Sequence, residues 1–276
     1  MNDGKESVID AEGLRLLNWN ELWSYRELFY FFSWRDIKIK YKQTVLGFLW
    51  AVLQPLLMMI IFTLFFGRAL NIPSQNLPYP VFVFSGLLIW NMFSAGLVNS
   101  SNSMVNNAPI IKKIYFPRLV IPGASLLVAL FDFLMSFILF VGLLVFYQHP
   151  VSLHALWAWP AAILFTLMAT FGPGTWLAAL NIKYRDFRYV IPFLVQVLFF
   201  LTPVIYPVTF LKSDILQYIL ACNPVYGAVE LFRLPLSPEA VVNPNYLAAS
   251  SVSCIVILLI GIVYFRKTEN FFADLA

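Results

Sequence analysis

Few residues in this sequence have the type and setting to do chemistry. Asp132 is the only ionisable group deep inside a long apolar run. A carboxylate at the centre of a bilayer costs roughly 2.5–3.5 kcal/mol on insertion scales, so it must face protein or water. It can act as a proton relay or accept a hydrogen bond from a neighbouring helix, and a carboxylate without a partner makes a weak relay. Glu230 and Arg233 stand three apart, a spacing that allows a local helical pair. Such a pair is either an ordinary structural contact or a latch. His149 and His154 share one short loop, with no Cys or carboxylate beside them. Cys222 and Cys254 sit in unrelated contexts, so neither a metal site nor a disulfide framework is expected. The chain has no G-x-x-x-x-G-K-[ST] loop to cradle a phosphate, no nucleophile elbow and no zinc signature. A reaction centre and a cofactor held by this chain are therefore not expected.

The remaining charges mark the ends of elements. Of 276 residues, 61% are hydrophobic and 12% charged, against roughly 25% charged in soluble domains. This composition defines an all-α integral membrane protein. The net charge of +4 does not point to nucleic acid, because the cations are grouped by position. Six runs approach the roughly 20 apolar residues that a spanning helix needs. They are Gly47–Phe66, Pro80–Val98, Leu119–Tyr147, Leu156–Leu180, Val190–Pro207 and Leu247–Phe265. The fifth carries Pro192, Pro203 and Pro207, which predicts an irregular end, and Gly172-Pro173-Gly174 predicts a break in the fourth. Phe210–Cys222 and Val225–Leu236 are too short to cross and meet at Asn223-Pro224, which predicts a re-entrant hairpin over 208–236. With the N-terminus inside, 15 of the 18 Lys and Arg lie on the inner side. Both termini are then cytoplasmic.

The elements preceding and joining the spans are amphipathic. Residues 1–18 have no apolar core and read as a flexible cytoplasmic N-terminus rather than a signal peptide. Over 19–42, Leu22, Tyr25, Phe29 and Phe32 fall at helical spacing, as do Arg35, Lys38 and Lys42. This predicts an interfacial helix on anionic lipid, preceding a single six-span membrane domain over 43–276. Residues 99–118, NSSNSMVNNAPIIKKIYFPR, predict a short amphipathic helix opened by Pro109 and stopped by Pro117. Its apolar side chains can fill a partner's groove while Lys112, Lys113 and Arg118 stay wet; the alternative is a loop that only sets topology. The second inner loop, with Arg185, Asp186 and Arg188, divides in the same way between topology signal and docking face.

Aromatic residues make up 17% of the chain, 27 of them Phe. Most must face lipid or pack in the bundle. Sugar rings bind aromatic faces, so a minority can line a path, with Trp50, Phe62, Tyr79, Trp90, Phe93 and Tyr206 as candidates.

Six segments together resemble the membrane subunits of bacterial ABC exporters for lipid-linked polysaccharides, the Wzm-like O-antigen and teichoic-acid export permeases. They are WRDIKIKYKQTVLGFLWAVLQPL (34–56), NAPIIKKIYFPR (107–118), NIKYRDFRYVIPFL (181–194), TPVIYP (202–207), NPVYGAVELFR (223–233) and FRKTENFFAD (265–274). The resemblance implies a homodimer in the cytoplasmic membrane, joined to two copies of a separate ATPase that binds ATP and Mg. It implies a coupling helix over 99–118, carrying Asn107, Pro109, Ile111, Lys112, Lys113, Tyr115, Phe116 and Arg118. It implies outer gate helices over 208–236, with Pro203, Asn223, Pro224, Glu230 and Arg233. The cargo would be an undecaprenyl-diphosphate-linked glycan whose diphosphate Arg35, Lys38 and Lys42 could receive. The competing expectation is a secondary transporter for a lipid or small solute, which would need paired intramembrane carboxylates or an inverted repeat. A membrane glycosyltransferase would need a carboxylate or His cluster at a span end.

Overall fold

The computed structural model describes residues 19–42, 47, 49–184, 186–237, 243–269 and 272, and among them every regular element is helical. That follows from the solvent: in lipid no water meets backbone N–H and C=O groups, and a helix satisfies its own. The chain opens with α1 (Trp19–Ser24) and α2 (Arg26–Lys42). Next come α3 (Leu49–Phe62), extended by a π-helical stretch Thr63–Ala69, α4 (Tyr79–Asn106) and the single turn α5 (Ala108–Ile111). α6 (Val120–Phe146), α7 (Ala155–Lys183), α8 (Phe187–Phe200), α9 (Asp214–Ala221), α10 (Pro224–Arg233) and α11 (Pro244–Thr268) complete it.

Five helices are long and apolar enough to cross a membrane alone: α3 with its extension, α4, α6, α7 and α11. The number rises to six if α9 and α10, bent by 95°, count as one broken span. The corner of that bend is Asn223-Pro224, where the composition placed it. The expected fifth span is shorter than the run that encodes it. α8 has 14 residues, about 21 Å at 1.5 Å each, against a hydrocarbon core of about 30 Å. Beyond Phe200 the chain is irregular to Pro207.

α4 is the mast of the bundle. In its most apolar window 78% of the residues are buried inside the protein, against 11% for α3. α3 is therefore the span that leaves a face for lipid or a second copy. Around α4 lies the larger core, where Phe84, Phe137, Phe140, Trp159 and Phe232 form an edge-and-stack aromatic cluster with centroids 5.2–6.3 Å apart.

Two sequence expectations fail here. Gly172-Pro173-Gly174 does not break the fourth span; α7 runs through it unbroken. Gly172 instead lets α11 close in, since a Cβ on Gly261 would stand 2.0 Å from the Gly172 carbonyl oxygen, while Gly174 lies against Ser100 of α4. Residues 99–118 are also not one helix. Residues 99–106 are the end of α4, and Ser100, Ser101 and Ser103 are buried against protein rather than lying at a surface. Only Ala108–Ile111 forms a separate turn, and Ile114–Pro117 is non-helical.

Candidate functional site

Two sites stand at opposite ends of α4. At the C-terminal end, Asn107 ends the helix and starts the next turn. Its backbone N–H donates to Ser103 O at 3.1 Å, and its carbonyl accepts from the N–H groups of Ile110 and Ile111 at 3.0 and 3.1 Å. Its buried side chain donates to Ser103 O at 2.8 Å and accepts from Arg35 Nη2 at 2.7 Å. Pro109 sits in the first turn of α5, exposed. Ile111 and Phe116 are buried in a second core with Phe32, Met104, Leu119 and Phe265. Between these two anchors Lys112, Lys113, Ile114 and Tyr115 are all exposed, Ile114 by 62% and Tyr115 by 71%. Arg118 closes the segment: its N–H donates to Glu269 Oε1 at 3.2 Å, and its guanidinium donates to the Glu269 carbonyl. The result is a knuckle with pinned feet and a projecting tip, a tighter device than a helix laid on its side. Ile114 escaped the sequence reading because an apolar residue beside Tyr and Phe looks like another buried one.

α2 does not lie alone at an interface; it packs along α6. Phe29 sits against Gly123, and Ser33 Oγ reaches Ala124 O at 3.2 Å. Lys40 forms an ion pair with Asp132, and the Tyr41 hydroxyl also donates to it. Asp132, read from sequence as a relay or as an acceptor from a neighbouring helix, is held by a lysine and a phenol from another helix, as the second reading expects. Burial first, and then the Asp132 carboxylate, push the Tyr41 phenol up, so it remains a donor. Arg35 is bound to Asp36 at 2.7 Å and lies 4.9 Å over the Phe32 ring. Lys38 and Lys42 are exposed, Lys38 stacked 5.2 Å over Trp34. Arg35, Lys40, Asn107, Pro109 and Arg188 share the wall of a groove of about 970 Å³. Arg185 lies outside the described residues. Asp186 and Arg188 are both exposed, with no ion pair between them among the described residues.

At the N-terminal end of α4, Arg233 is buried and directs its donors at four acceptors. Nη1 donates to Pro203 O at 2.8 Å, and Nη2 to Val204 O at 2.7 Å and Phe82 O at 3.1 Å. Nε donates to Ser85 Oγ at 3.3 Å, and the guanidinium lies 3.8 Å over the Phe82 ring. Gly86 makes the space, since a Cβ there would stand 2.6 Å from Nη2. This explains how irregular chain after α8 survives: a planar five-donor cation replaces the missing helical hydrogen bonds. Asn223 Oδ1 caps α10 by accepting from Val225 N at 2.9 Å, its Nδ2 donates to Thr202 Oγ1 at 2.8 Å, and Pro224 begins the helix. So Pro203, Asn223, Pro224 and Arg233 do converge. The expected Glu230–Arg233 pair is not formed: no hydrogen bond or ion pair joins them among the described residues, and Glu230 Oε1 is buried without a partner. The carbonyls of a distant segment outcompete the neighbour on the same helix.

The path candidates divide. Trp90 and Phe93 are buried in the core and packed on each other at 5.5 Å, and Trp90 meets Phe199 of α8 edge-on at 5.3 Å. Tyr79 donates to Ile205 O and Tyr206 to Phe200 O, both at 2.8 Å, tying down the irregular segment. Phe62 is half-buried against Phe66 and Phe199. Trp50 is 49% exposed and lines a cavity of about 430 Å³ with Lys40, Gln54, Asn91 and Asp132.

A bundle of spans around an enclosed mast, with a rigid projecting knuckle at one end and a chain-end clamp at the other, defines a multi-pass membrane permease. The chain belongs to the ABC-2 type transporter family, whose profile matches residues 27–237. It is 28% identical over 241 residues to an O-antigen export system permease protein, RfbA, of Klebsiella pneumoniae, covering 87% of this chain and 92% of that one. Over 256 residues it is 28% identical to the protein of the same description from Myxococcus xanthus, covering 92% and 97%. The polysialic acid transport protein KpsM of Escherichia coli is 24% identical over 245 residues, covering 86% and 91%. Family membership sets aside the secondary-transporter expectation.

Proposed function

We propose that this chain is the membrane subunit of an ATP-driven exporter that moves an undecaprenyl-diphosphate-linked polysaccharide, of the O-antigen class, across the bacterial cytoplasmic membrane. Two copies form the path, and two copies of a separate ATPase, which bind ATP and Mg, drive it. The observation that carries this reading is the Lys112–Tyr115 tip: two cations and two large apolar side chains, exposed together and held between buried Ile111 and Phe116. A loop that only set topology would need the charges and not the anchored apolar pair. Rigid exposed apolar surface beside charge is what a docking partner recognises. The relatives' descriptions support the cargo, and the 15 of 18 cations on one side support cytoplasmic termini.

In this mechanism ATP closes the two ATPases and displaces the knuckle. α4 carries the displacement as a rigid rod to the Arg233 clamp, some 24 residues or about 36 Å away. The path opens at the dimer interface, walled by α3, α4 and α8, whose exposed residues Trp50, Phe193 and Phe200 fit that position. Lys38 and Lys42, with Arg35 at the groove, receive the diphosphate from the cytoplasmic side.

The test is a double Lys112→Glu, Lys113→Glu variant reconstituted with its ATPase. Both residues are exposed, so the chain should fold and insert normally. Export and substrate-stimulated ATP hydrolysis should fall more than tenfold, in line with losses of about 2 kcal/mol or more at interface hot spots. Export at the normal rate removes the coupling assignment.

A further inference from the structure

Glu230 poses a problem that the clamp does not solve. It is buried, its Oε1 has no hydrogen-bond partner, and Arg233 has turned to carbonyls instead. Buried polar groups in native proteins are nearly always satisfied, and an exception calls for a cause. Glu230 lines a cavity of about 670 Å³, walled by the α3–α4 connection, the α9–α10 hairpin and the start of α11. Sites for small molecules run from about 300 to 1,000 Å³.

The lining is polar and pre-oriented. Tyr246 donates to Gln217 Oε1 at 2.8 Å, and Gln217 Nε2 donates in turn to Leu211 O at 2.5 Å, so that amide is fixed. Asn243 Oδ1 accepts from Asn245 N at 3.0 Å, which leaves its NH2 group for a ligand. Thr209 and Tyr226 line the same cavity. Tyr246 is held edge-on by Tyr218 at 4.8 Å, a fixed aromatic surface. A hard cation would want six to eight oxygens and more than one carboxylate. An anion would meet Glu230. The group that uses a carboxylate, amides, hydroxyls and a tyrosine ring together is a polyol with one apolar face.

We propose that this cavity is a subsite for a neutral pyranose unit of the exported polymer, with the Glu230 carboxylate accepting a hydrogen bond from one of its hydroxyls. The proposal rests on the polysaccharide-export reading above. Placed beside the clamp at the far end of α4, the subsite would hold the emerging chain between strokes and oppose its return.

The experiment uses the full exporter with its ATPase, in cells that make radiolabelled polymer. Thr209, at the exposed rim, is replaced by p-benzoylphenylalanine, and in a control Leu153, 85% exposed on the α6–α7 loop, is replaced likewise. Irradiation during export should capture polymer at position 209 at least fivefold more than at 153. Glu230→Gln, added to the Thr209 probe, should cut that capture at least fivefold and slow export. A purely structural Glu230 would move Tm without moving capture. Equal capture at the two positions during normal export overturns the subsite and leaves the exporter reading standing, as does full capture with Glu230→Gln. Absence of exported polymer from the unmodified complex overturns the exporter reading, and the subsite with it.

Discussion

Lys112 and Arg233 are both cations of a membrane protein, and the fold treats them in opposite ways. Lys112 stands at the tip of a knuckle, exposed with Lys113, Ile114 and Tyr115. Arg233 is 2% exposed and distributes its donors over Pro203, Val204, Phe82 and Ser85. In the first region charge is presented and backbone is hidden: Asn107 and the turn after it satisfy their own groups. In the second, backbone is left open by the early end of α8, and a charge is hidden to satisfy it. A docking surface needs accessible side chains on a stiff frame. A clamp needs one side chain that several segments depend on. The two regions should therefore respond oppositely to mutation, one losing partnership without stability and the other losing stability first.

The largest effect is expected at the clamp. Arg233→Ala leaves the Pro203 and Val204 carbonyls without their donor in a buried site, while Phe82 O keeps Ser85 Oγ, at a cost on the order of 4 kcal/mol. Folded yield in detergent should drop sharply, and Tm with it. Arg233→Lys should rescue part of this, because an ammonium offers three donors but not the planar fork, and loses the stack on Phe82. A Tm within a degree of the parent for Arg233→Ala would show that the irregular segment supports itself.

An intermediate effect is expected where α2 meets α6. The side chains of Lys40 and Asp132 are 43% and 17% exposed, so solvent screens the pair and its worth is about 1 kcal/mol. Lys40→Met alone leaves Asp132 with the Tyr41 hydroxyl as its donor and should lower stability by about that amount. Adding Asp132→Leu should recover most of the loss, because an apolar pair is well tolerated where an unmatched charge is not. Thermal unfolding of the two single variants and the double one reads the coupling directly. Additive losses would mean that the two residues act independently, and that α2 is held to α6 by Ser33 and Phe29 instead.

What could be seen from sequence follows the same division. Long apolar runs admit only helices in lipid, so five of the spans and the corner at Asn223-Pro224 are readable, though α4 runs on past Val98 to Asn106. The shortening of α8 is not, because its apolar run continues past Phe200 and the residue that permits the break lies 30 positions away. Trp90 and Phe93 have the same composition whether they line a path or fill a core; Phe199, packed on Trp90 from α8, decides it. The insertion cost of Asp132 demands a partner, and that was the available signal for Lys40 and Tyr41 of α2. Glu230 and Arg233 show the limit of spacing arguments: the geometry for a local pair exists, and better acceptors elsewhere take the arginine.

The smallest effect on stability, and the sharpest test of the contrast, belongs to the knuckle tip. Ile114 and Tyr115 are exposed, and no hydrogen bond or ring contact of theirs to the rest of the bundle is found among the described side chains. Ile114→Ser with Tyr115→Ser should change unfolding by no more than about 0.5 kcal/mol, as surface substitutions do. If the tip seats in a partner's groove, the same pair should weaken capture of the ATPase by about 2 kcal/mol, roughly 30-fold, because anchors at the centre of an interface dominate its energy. Co-purification at graded ATPase concentration, beside a melting curve of the isolated chain, separates the two numbers. A variant that melts early would move the tip into the core and erase the difference between the two ends. A variant that melts normally and still retains its ATPase would assign docking to the cations alone.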